Sequence, residues 1–390
     1  MIIDNSVVMA NSPYIPRLLD LASASSKRSL FLFGPRQTGK TSLVQRVLGD
    51  ARLLSLLDSD LYLTLSRRPA LLRELIQPTD RVVVIDEIQK LPLLLDEVHL
   101  ALESSQTRFV MTGSSARKLR RGGVNLLGGR ASSHILHPFV ARELGAAFDL
   151  RRALDIGLLP PVYLSEDPKE DLRAYAGDYL RQEIAAEGLT RNVPAFSRFL
   201  EVAALCNGQM LNYSAIASDA QVPVSTVREY FQILEDTLLA SRLPAWTASR
   251  KRKAIGTPKF YFFDVGVARS LQQRSGLRLR SPEFGEAFEA YVHHELRTYI
   301  DCSRRGELCY WRSRSGFEVD FVLNGRTAIE VKAKAPVGQR DLRGLRALQE
   351  ERALQRLVVV SLETLPRQVE GIDLLPWQVF LERLWAGELD

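Results

Sequence analysis

The segment from Gly34 to Thr41 constrains the fold of this chain most, because it fits the P-loop pattern in full. An apolar strand, predicted at Ser29–Phe33, precedes it, and a helical stretch begins at its end. Backbone N–H groups at a helix N-terminus bind phosphate oxygens, since that helix end carries partial positive charge. The pattern therefore predicts an ATP site. Its binding residues would be Gly34, Pro35, Arg36, Gln37, Thr38, Gly39, Lys40, Thr41 and Ser42.

Two acidic residues follow another strongly apolar strand. Residues Val82–Ile85 are all apolar, and Asp86 and Glu87 come directly after them. Asp86 would hold Mg²⁺ together with the Thr41 hydroxyl, and Lys40 would reach the β- and γ-phosphates. Glu87 would polarise the attacking water. An acidic pair after a strand could also cap a helix, but with the P-loop upstream we expect ATP hydrolysis.

A third apolar strand, predicted at Phe109–Thr112, ends in hydroxyl groups. Thr112, Ser114 or Ser115 could lie between the ends of the first two strands and sense the γ-phosphate. Ser114 is our catalytic candidate among them. The alternative is that one of them caps a helix that starts near Ala116.

An arginine could complete the phosphate site. Arg130 follows two glycines and could reach a phosphate as a finger, in cis or from a neighbouring subunit. The competing candidates are Arg117, Arg120 and Arg121. A finger supplied in trans requires subunits in contact, and we expect a homo-oligomer.

The alternation of patterns predicts the class of fold. Residues 28–145 alternate apolar strands with helical patterns, which is typical of a parallel α/β sheet. A further strand is predicted at Leu53–Leu57. The pairs Pro160-Pro161 and Asp167-Pro168 then break the pattern and indicate a boundary region.

The overall charge favours anionic partners only mildly. The 390 residues carry a formal net charge of +6 and a pI of about 9.2, which puts nucleic acid slightly ahead of other partners. The three cysteines have no CxxC spacing, so neither a disulfide framework nor a zinc site is indicated. The start lacks the pattern of a secretory signal, and no run of 18 apolar residues occurs. We expect a cytoplasmic protein without a membrane partner.

Residues 197–243 are typical of a winged helix-turn-helix. Asn212–Ala220 would form its second helix, residues 221–223 the turn, and Ser225–Leu239 the recognition helix. The basic run Arg250–Lys253 is expected at a wing tip, where several cations would displace counterions from DNA. The alternative is a solvated charge run on a winged helix that serves only for packing.

A charged hairpin near the end of the sequence allows two registers. A two-residue turn at Asn324-Gly325 would pair Asp320 with Ile329 and place Glu330 on the opposite face. A three-residue loop that includes Arg326 would pair Asp320 with Glu330. Only the longer loop gathers the apolar residues on one buried face, so hydrophobic burial should select it. These apolar residues are Phe317, Val319, Phe321, Ile329 and Val331.

The longer loop also gathers three carboxylates and a lysine on one face. That set has the chemistry of a PD-(D/E)xK nuclease site, in which Asp320 and Glu330 would hold Mg²⁺. Lys332 would orient or deprotonate the attacking water. The phase of the preceding helix points to Glu295 as a further acid. The alternatives are an inert nuclease-like fold and ordinary cross-strand ion pairs, such as Glu318 with Lys332.

Several of these segments together resemble the AAA-like ATPases of bacteria and archaea that carry a C-terminal domain of poorly known function. The resemblance rests on Gly34–Thr41, Asp86–Lys90, Thr112–Ser115, the turn at 137–139, Lys259–Gly266, Gly285–Leu296, Glu318–Leu323 and Ile329–Lys332. It implies a three-layer P-loop core of the AAA-like type, a winged-helix middle and an α/β restriction-endonuclease-like end. It also makes Glu289, instead of Glu295, the further metal ligand.

These expectations divide the chain and give it a function. The predicted divisions are a P-loop ATPase domain, a helical linker, a winged-helix-like domain and a PD-(D/E)xK nuclease-like domain, at residues 1–145, 146–195, 196–275 and 276–390. We expect a protein that hydrolyses ATP with Mg²⁺ and couples its nucleotide state to DNA binding, and to metal-dependent DNA processing if the metal site is active. The alternative is a nucleotide-dependent scaffold for protein partners with an inert nuclease-like domain.

Overall fold

The chain forms two compact units in the computed structural model, which describes residues 14–114, 119, 127–179, 192–249 and 251–390. Unit 1 comprises Met1–Phe139 and Asp236–Leu239, and unit 2 comprises Val140–Glu235 and Ala240–Asp390. The domain boundaries predicted at residues 145, 195 and 275 stay predictions. Within the described ranges, no helix is both long enough and apolar enough to cross a membrane.

Unit 1 alternates strands and helices along the chain. Its elements are α1 (Leu21–Lys27), β1 (Ser29–Phe33), α2 (Lys40–Val47), β2 (Arg52–Ser55), α3 (Ser59–Arg67), α4 (Leu71–Leu75), β3 (Val82–Asp86), α5 (Leu94–Ser104), β4 (Arg108–Gly113) and β5 (Ala131–Ile135). All five residues of β1 are buried, as expected for the apolar central strand of a parallel sheet. The Asp58 carboxylate starts α3 by accepting hydrogen bonds from the first-turn N–H groups of Asp60 and Leu61.

The five strands form one parallel sheet in the order β2-β3-β4-β1-β5. Alternate residues of β1 face opposite sides, as the period of two in a strand requires. Phe31 and Phe33 pack with α3, α4 and α5, whereas Leu30 and Leu32 pack with α1 and α2. Helices therefore cover both faces of the sheet, and the predicted three-layer α/β core is confirmed for this unit.

The predicted strands of unit 1 agree with the structure to within two residues at each end. The strand predicted at Leu53–Leu57 begins one residue and ends two residues earlier, and the other three predicted strands overlap β1, β3 and β4. No strand was predicted for β5, because its residues, Ala-Ser-Ser-His-Ile, are mostly polar. It pairs with β1 at the edge of the sheet.

The first part of unit 2 is mainly helical. Its elements are α6 (Ala141–Leu144), α7 (Leu150–Ile156), α8 (Pro160–Tyr163), α9 (Pro168–Ala174), α10 (Val193–Leu205), α11 (Tyr213–Ala220), α12 (Val224–Asp236), β6 (Ala240–Leu243), β7 (Lys259–Phe262) and α13 (Val265–Leu271). Strands β6 and β7 pair antiparallel after three consecutive helices. This is the element order expected of a winged helix, and that identification stays a prediction. The predicted recognition helix is α12, which ends three residues before Leu239.

The second part of unit 2 is a mixed α/β layer. Its elements are α14 (Pro282–Ser303), β8 (Leu308–Arg312), β9 (Glu318–Leu323), β10 (Thr327–Lys332), α15 (Arg343–Gln349), β11 (Arg356–Ser361), β12 (Arg367–Val369), β13 (Ile372–Pro376) and α16 (Trp377–Trp385). The sheet has the order β12-β13-β11-β10-β9-β8. Its three central strands β13, β11 and β10 are parallel, and the remaining pairs are antiparallel.

The hairpin register agrees with the longer of the two predicted loops. Leu323 pairs with Thr327 and Phe321 with Ile329, so residues 324–326 form a three-residue loop. This register places Asp320 level with Glu330 at the end of the pairing, as the hydrophobic pattern predicted.

One part of the hairpin prediction is wrong, because β9 contains a bulge. Cys309 pairs with Val322 and Trp311 with Val319, so one residue of β8 lies opposite two residues of β9. The extra residue interrupts the alternation of faces. Val319 and Val322 therefore pack in one cluster with Trp311, whereas the Phe321 ring lies near the ring of His293 on α14. The five apolar side chains do not share a single face.

Candidate functional site

The P-loop of unit 1 connects the end of β1 to the start of α2. Gly39 precedes the helix with a φ of 92°, a backbone conformation that glycine adopts without strain. Gly34 lies so close to the chain that a Cβ would approach the Leu136 carbonyl oxygen to 2.4 Å. The Lys40 ammonium donates to the Gly34 and Pro35 carbonyls, at 2.7 and 3.0 Å. The loop and its lysine are thus preformed around an open helix N-terminus, which suits a phosphate.

An arginine outside the motif braces this loop. The Arg17 guanidinium donates to the carbonyls of Thr38 and His137, both at 2.6 Å, and lies over the Phe139 ring. It therefore ties the P-loop to the segment after β5. No motif indicates this role, because Arg17 lies outside every motif and its partners are backbone atoms.

The two acidic residues after β3 are held by neutral donors. The buried Thr112 hydroxyl on β4 donates to Asp86 Oδ1 and accepts from the Glu87 N–H at 3.2 Å. The Gln89 amide donates to Glu87 Oε2 at 2.5 Å and to the Ser114 hydroxyl at 3.3 Å. These contacts follow from the sheet order, since β4 lies between β1 and β3.

The hydroxyl groups predicted after β4 are therefore located between the P-loop strand and the acidic strand. Thr112 contacts Asp86, whereas Ser114, our catalytic candidate, contacts Gln89. Gly113 between them admits the Gln89 side chain, because a Cβ there would lie 2.3 Å from its Oε1 atom. Gln89 had no predicted role. Ser115 lies outside the described residues.

The charge of Glu87 depends on its surroundings. Burial raises the pKa of Glu87, and the nearby charges of Lys40 and Arg36 oppose that rise. A carboxylate poised in this way can accept a proton from water or orient it. Its backbone has a φ of 61°, which lies in the left-handed region that glutamate rarely adopts. Such outliers are common at functional sites.

The donor set fits Mg²⁺ at this site. Mg²⁺ prefers oxygen ligands and is usually held by one or two carboxylates with phosphates and water. Asp86 supplies a carboxylate at the carboxyl end of β3. The Thr41 hydroxyl is exposed in the first turn of α2, beside the P-loop.

Arg130 lies at the amino-terminal ends of the parallel strands, whereas the P-loop lies at their carboxyl-terminal ends. Because β5 runs parallel to β1 and starts beside it, Arg130 lies level with the beginning of β1, whereas Gly34 follows its end. The separation along the strands is about 20 Å. The Arg130 guanidinium instead contacts His99 at 2.7 Å and Glu103 at 3.2 Å. The predicted role as a finger in cis is wrong, and a role in trans stays a prediction. Its competitors Arg117, Arg120 and Arg121 lie outside the described residues.

Unit 2 gathers three acidic side chains around a lysine that we did not predict, and a fourth acid interacts with one of the three. We call Glu289, Glu318, Asp320 and Glu330 the carboxylate cluster. The Lys259 ammonium on β7 lies 2.7 Å from Glu318 Oε1, 3.1 Å from Glu289 Oε1 and 4.0 Å from Asp320 Oδ1. Its side chain is 5% exposed. Tyr261, two residues along β7, donates to the same Glu289 oxygen at 2.6 Å.

The other side of the carboxylate cluster contains the predicted lysine. The Lys332 ammonium donates to Glu330 Oε1 at 2.5 Å. The Val331 N–H donates to Asp320 Oδ2 at 2.8 Å, so this side chain takes the place of a strand partner where the hairpin ladder ends. Glu330 Oε2 is buried without a hydrogen-bond partner among the described residues.

Burial and mutual repulsion shift the pKa values in the carboxylate cluster. Burial, with the charge of Glu289, raises the pKa of Asp320 to about 6. Burial and Asp320 raise the pKa of Glu330 well above its usual range. Burial alone would lower the pKa values of Lys259 and Lys332, but the surrounding acids outweigh it and raise both, so both lysines stay charged.

The structure separates the two predicted helix acids. Glu289 joins the carboxylate cluster, as the resemblance implied. Glu295 is buried elsewhere and accepts from the Ala141 N–H at 2.7 Å, the Tyr291 hydroxyl at 2.9 Å and the Trp385 indole at 3.1 Å. Burial raises its pKa to about 7. The phase of the helix found a buried acid, but its partners make it structural.

The predicted metal set is occupied by ammonium groups in this arrangement. No three His, Cys, Asp or Glu side chains in the described parts of the chain converge closely enough to hold a metal ion. Glu289 and Asp320 face Lys259, and Glu330 faces Lys332. The carboxylate cluster therefore does not fit a metal ion while Lys259 is in place.

A cavity of about 510 Å³ opens beside the carboxylate cluster. Its wall residues are Ser315, Gly316, Phe317, Glu318, Glu330, Lys332, Arg340, Asp341, Arg343 and Gly344. Arg340 and Arg343 are exposed. Three acidic side chains, Glu318, Glu330 and Asp341, belong to the same wall, and Lys332 is paired with Glu330, so the exposed cations of this opening are the two arginines.

The basic run between β6 and β7 is partly neutralised within unit 2. Buried Glu351 accepts from the N–H groups of Lys251 and Arg252, at 2.8 and 2.9 Å. The Arg252 side chain binds the Ala347 carbonyl at 2.9 Å and Glu350 at 2.7 Å. The expectation of a free basic wing tip is therefore wrong for Arg252. Lys251 and Lys253 are exposed, and Arg250 lies outside the described residues.

Three family models match successive parts of the chain. Residues 26–145 match a model described as an AAA domain. Residues 147–279 and 284–380 match two models described as domains of unknown function, DUF8612 and DUF4143.

Whole-chain comparisons find distant similarity. Uncharacterised proteins of Mycobacterium tuberculosis and Mycobacterium bovis are 26% identical over 321 residues, which cover 78% of this chain and 71% of each relative. Among solved structures, a Walker-type ATPase of Pyrococcus abyssi is 15% identical, with 64% of this chain and 93% of that chain covered and a TM-score of 0.43. The Aeropyrum pernix ORC1 protein in complex with DNA is 15% identical, with 68% and 95% covered and a TM-score of 0.27.

The family model and the parallel sheet with its P-loop describe the same part of the chain. The matched range includes β1 through β5, the P-loop and the acidic residues after β3. Residues 26–145 of this chain match an AAA-domain model and form a parallel α/β sheet with a P-loop, as in P-loop ATPase cores.

Proposed function

We propose that this protein hydrolyses ATP with Mg²⁺ in unit 1 and that its nucleotide state governs nucleic-acid binding by unit 2. The observation that carries the first part is the contact of the Thr112 hydroxyl with both acidic residues beside the P-loop. One neutral group on β4 thereby orients the carboxylate of Asp86 and the backbone of Glu87.

The side chains of unit 1 would act in defined roles. Lys40 would exchange its two carbonyl partners for phosphate oxygens, since those contacts are the ones a bound nucleotide replaces. Thr41 and Asp86 would hold Mg²⁺, which supplies charge neutralisation at the phosphates. Glu87, oriented by Gln89, would accept the proton of the attacking water.

The test of hydrolysis compares two lysines of unit 1. We expect Lys40→Ala to lose ATP binding and phosphate release, because it removes the cation that reaches the phosphates. Lys27→Ala, at an exposed lysine of α1, is the matched control and should retain both. Equal ATP binding and turnover by the wild type and Lys40→Ala would contradict the proposal.

For nucleic acid, the support is the cavity beside the carboxylate cluster. The exposed Arg340 and Arg343 line it, and phosphate contacts by lysine and arginine supply most of the non-specific affinity for DNA. We propose DNA as the partner and exclude metal-dependent cutting from the proposal, because Lys259 occupies the carboxylate cluster.

The DNA experiment measures retention of duplex DNA over a range of salt concentrations. We expect the double variant Arg340→Ala/Arg343→Ala to weaken binding and to reduce the salt slope by about 2. Arg352→Ala/Arg356→Ala is the matched control, because both arginines are exposed and Arg356 lies at the far end of the sheet from Lys332. If the two double variants bind alike, this surface is not the DNA site.

The competing function is a nucleotide-dependent scaffold for protein partners. The two functions differ in one measurement, which is the ATPase rate with and without duplex DNA at low salt. A DNA-dependent change in rate supports coupling to nucleic acid, and an unchanged rate without DNA retention supports the scaffold.

We also propose a homo-oligomer, in which an arginine of one copy serves the nucleotide of another. The support is the position of Arg130 at the amino-terminal ends of the strands, from which it cannot reach its own P-loop at their carboxyl-terminal ends. Light scattering with and without ATP tests this proposal, and a monomer in both conditions would contradict it.

A further inference from the structure

Lys259 differs from the lysine of an ordinary surface ion pair, because it is buried and binds acids from other elements of unit 2. Its strand, β7, belongs to the hairpin before α14, whereas its acidic partners come from α14 and β9. It is a buried lysine with a defined partner set, since Nζ binds Glu289 and Glu318 and lies 4.0 Å from Asp320. Two distant segments of unit 2 therefore meet at one ammonium group.

One oxygen each of Glu289, Asp320 and Glu330 is already engaged, whereas Glu330 Oε2 has no hydrogen-bond partner among the described residues. Glu289 Oε1 accepts from both Lys259 and Tyr261. Asp320 Oδ2 accepts from the Val331 N–H, and Glu330 Oε1 accepts from Lys332. Mg²⁺ requires oxygens at about 2.0–2.1 Å in octahedral geometry, so these bonds would have to break before an ion could bind.

The charges of the carboxylate cluster are nearly balanced without a metal ion. Lys259 and Lys332 face the cluster, and Arg312 binds Glu318 Oε2 at 3.1 Å. Three cations thus face the four carboxyl groups of the cluster. A divalent ion placed among the same acids would lie beside a fixed positive charge and would be repelled by it.

We propose that Lys259 is a built-in cation that closes the carboxylate cluster to divalent metal ions. The side chain is tethered to β7 and packed in the interior, so it does not exchange with solvent as a bound ion does. The site resembles a metal centre in its acids but uses an ammonium group in place of the ion. This inference does not depend on ATP hydrolysis, because it concerns residues of unit 2 alone.

The test uses Mn²⁺ as the probe, with the full chain free of nucleotide. Loss of the electron paramagnetic resonance signal of free Mn²⁺ reports the bound fraction. We expect no Mn²⁺ at the carboxylate cluster of the wild type over the range of the titration. Lys259→Met should bind one Mn²⁺ per chain, with an affinity at least about tenfold higher than that of the wild type. Lys259→Met keeps the length of the side chain and removes its charge. Adding Asp320→Asn to that variant should abolish the gained site.

Two controls distinguish the inference from a general change in charge. Lys253→Met removes an exposed lysine of the same segment and should leave Mn²⁺ binding unchanged. Lys259→Arg retains the charge and should also bind no Mn²⁺.

Two results would overturn the inference. The first is a Mn²⁺ site in the wild type that Asp320→Asn removes, a result that needs no folded Lys259 variant. The second is a Lys259→Met protein with the circular dichroism spectrum of the wild type but no gain in Mn²⁺ binding. If Lys259→Met fails to fold, Lys259→Gln gives the same comparison with a polar side chain.

Discussion

The acidic residues of the two units are held in different ways. In unit 1, Asp86 accepts from the Thr112 hydroxyl and Glu87 accepts from the Gln89 amide, while Lys40 donates to carbonyl oxygens. In unit 2, the acids of the carboxylate cluster meet ammonium groups directly. Cations act on the acids of both units: the charges of Lys40 and Arg36 act on Glu87, and ammonium groups lie at hydrogen-bond distance from Glu289, Glu318 and Glu330.

The difference shows why acidic motifs alone do not identify a metal site. A neutral donor fixes the direction of a carboxylate without cancelling its charge, so the group can still attract a cation or accept a proton. An ammonium group at hydrogen-bond distance both directs the carboxylate and neutralises it. The partners of an acid therefore help to decide whether its charge stays available, although Glu295, which also has neutral donors, lies outside both sites.

The largest effect should come from neutralising the acid that is held for catalysis. We expect Glu87→Gln to reduce ATP hydrolysis by about 10²–10⁴-fold while ATP binding is retained, because the amide cannot accept the proton of the attacking water. Phosphate release and nucleotide binding, measured on the same preparation, check this. Glu74→Gln, at an exposed glutamate of α4, should change the rate little. A Glu87→Gln enzyme with the wild-type rate would show that this carboxylate is no more catalytic than those of unit 2.

The next effect concerns Glu295, a buried acid that has neutral donors and no role in either site. Its pKa is raised from 4.5 to about 7. Between these values the folded protein holds more protons than the unfolded chain, so the free energy of unfolding falls as pH rises. Below pH 4.5 the raised pKa of Glu295 contributes about 3 kcal/mol to the free energy of unfolding. We expect Glu295→Gln to lose less stability than the wild type between pH 5 and pH 8, as measured by urea unfolding.

Other buried acids set the control for this measurement. Asp264 also has a pKa raised by burial, to about 6, so the variant should reduce the pH dependence and not abolish it. Parallel stability curves for the wild type and Glu295→Gln would show that Glu295 titrates in the same way in the folded and unfolded states.

A smaller effect on hydrolysis and stability should distinguish Thr112, on β4, from Ser114, which follows that strand. Thr112→Val keeps the shape of the side chain but leaves Asp86 and the Glu87 N–H without their partner, a loss of about 1–3 kcal/mol. We expect lower thermal stability and about tenfold slower hydrolysis. Ser114→Ala, which removes only a 3.3 Å contact with Gln89, should have the smaller effect on both. The opposite order would return the sensor role to Ser114.

Local patterns predicted the core of unit 1 well. The P-loop follows β1 directly and the acidic pair lies at the end of β3, so each motif is local in sequence and its spacing already contains its geometry. The hairpin register was also predictable, because a slip by one residue would have exposed apolar side chains. Val319 and Phe321 were assigned to one face because a bulge depends on the neighbouring strand and leaves no local pattern.

The residues that were missed are those whose partners are distant in sequence or are backbone atoms. Lys259 stands 30 positions before Glu289 and was hidden at the start of an apolar strand. Arg17 binds carbonyl groups, which every residue has, so no residue type could signal the contact. The role of Arg252 was misjudged for the same reason, since Glu350 lies 98 positions away.

One Mn²⁺ titration of the wild-type protein tests the contrast between the two sites most directly. It measures bound Mn²⁺ per chain by electron paramagnetic resonance, with and without ATP and under conditions of slow hydrolysis. We expect one tightly bound ion with ATP, lost in Lys40→Ala, and none without nucleotide. One ion bound without nucleotide and lost in Asp320→Asn would contradict it, because the carboxylate cluster would then be the metal site and Lys259 would not close it.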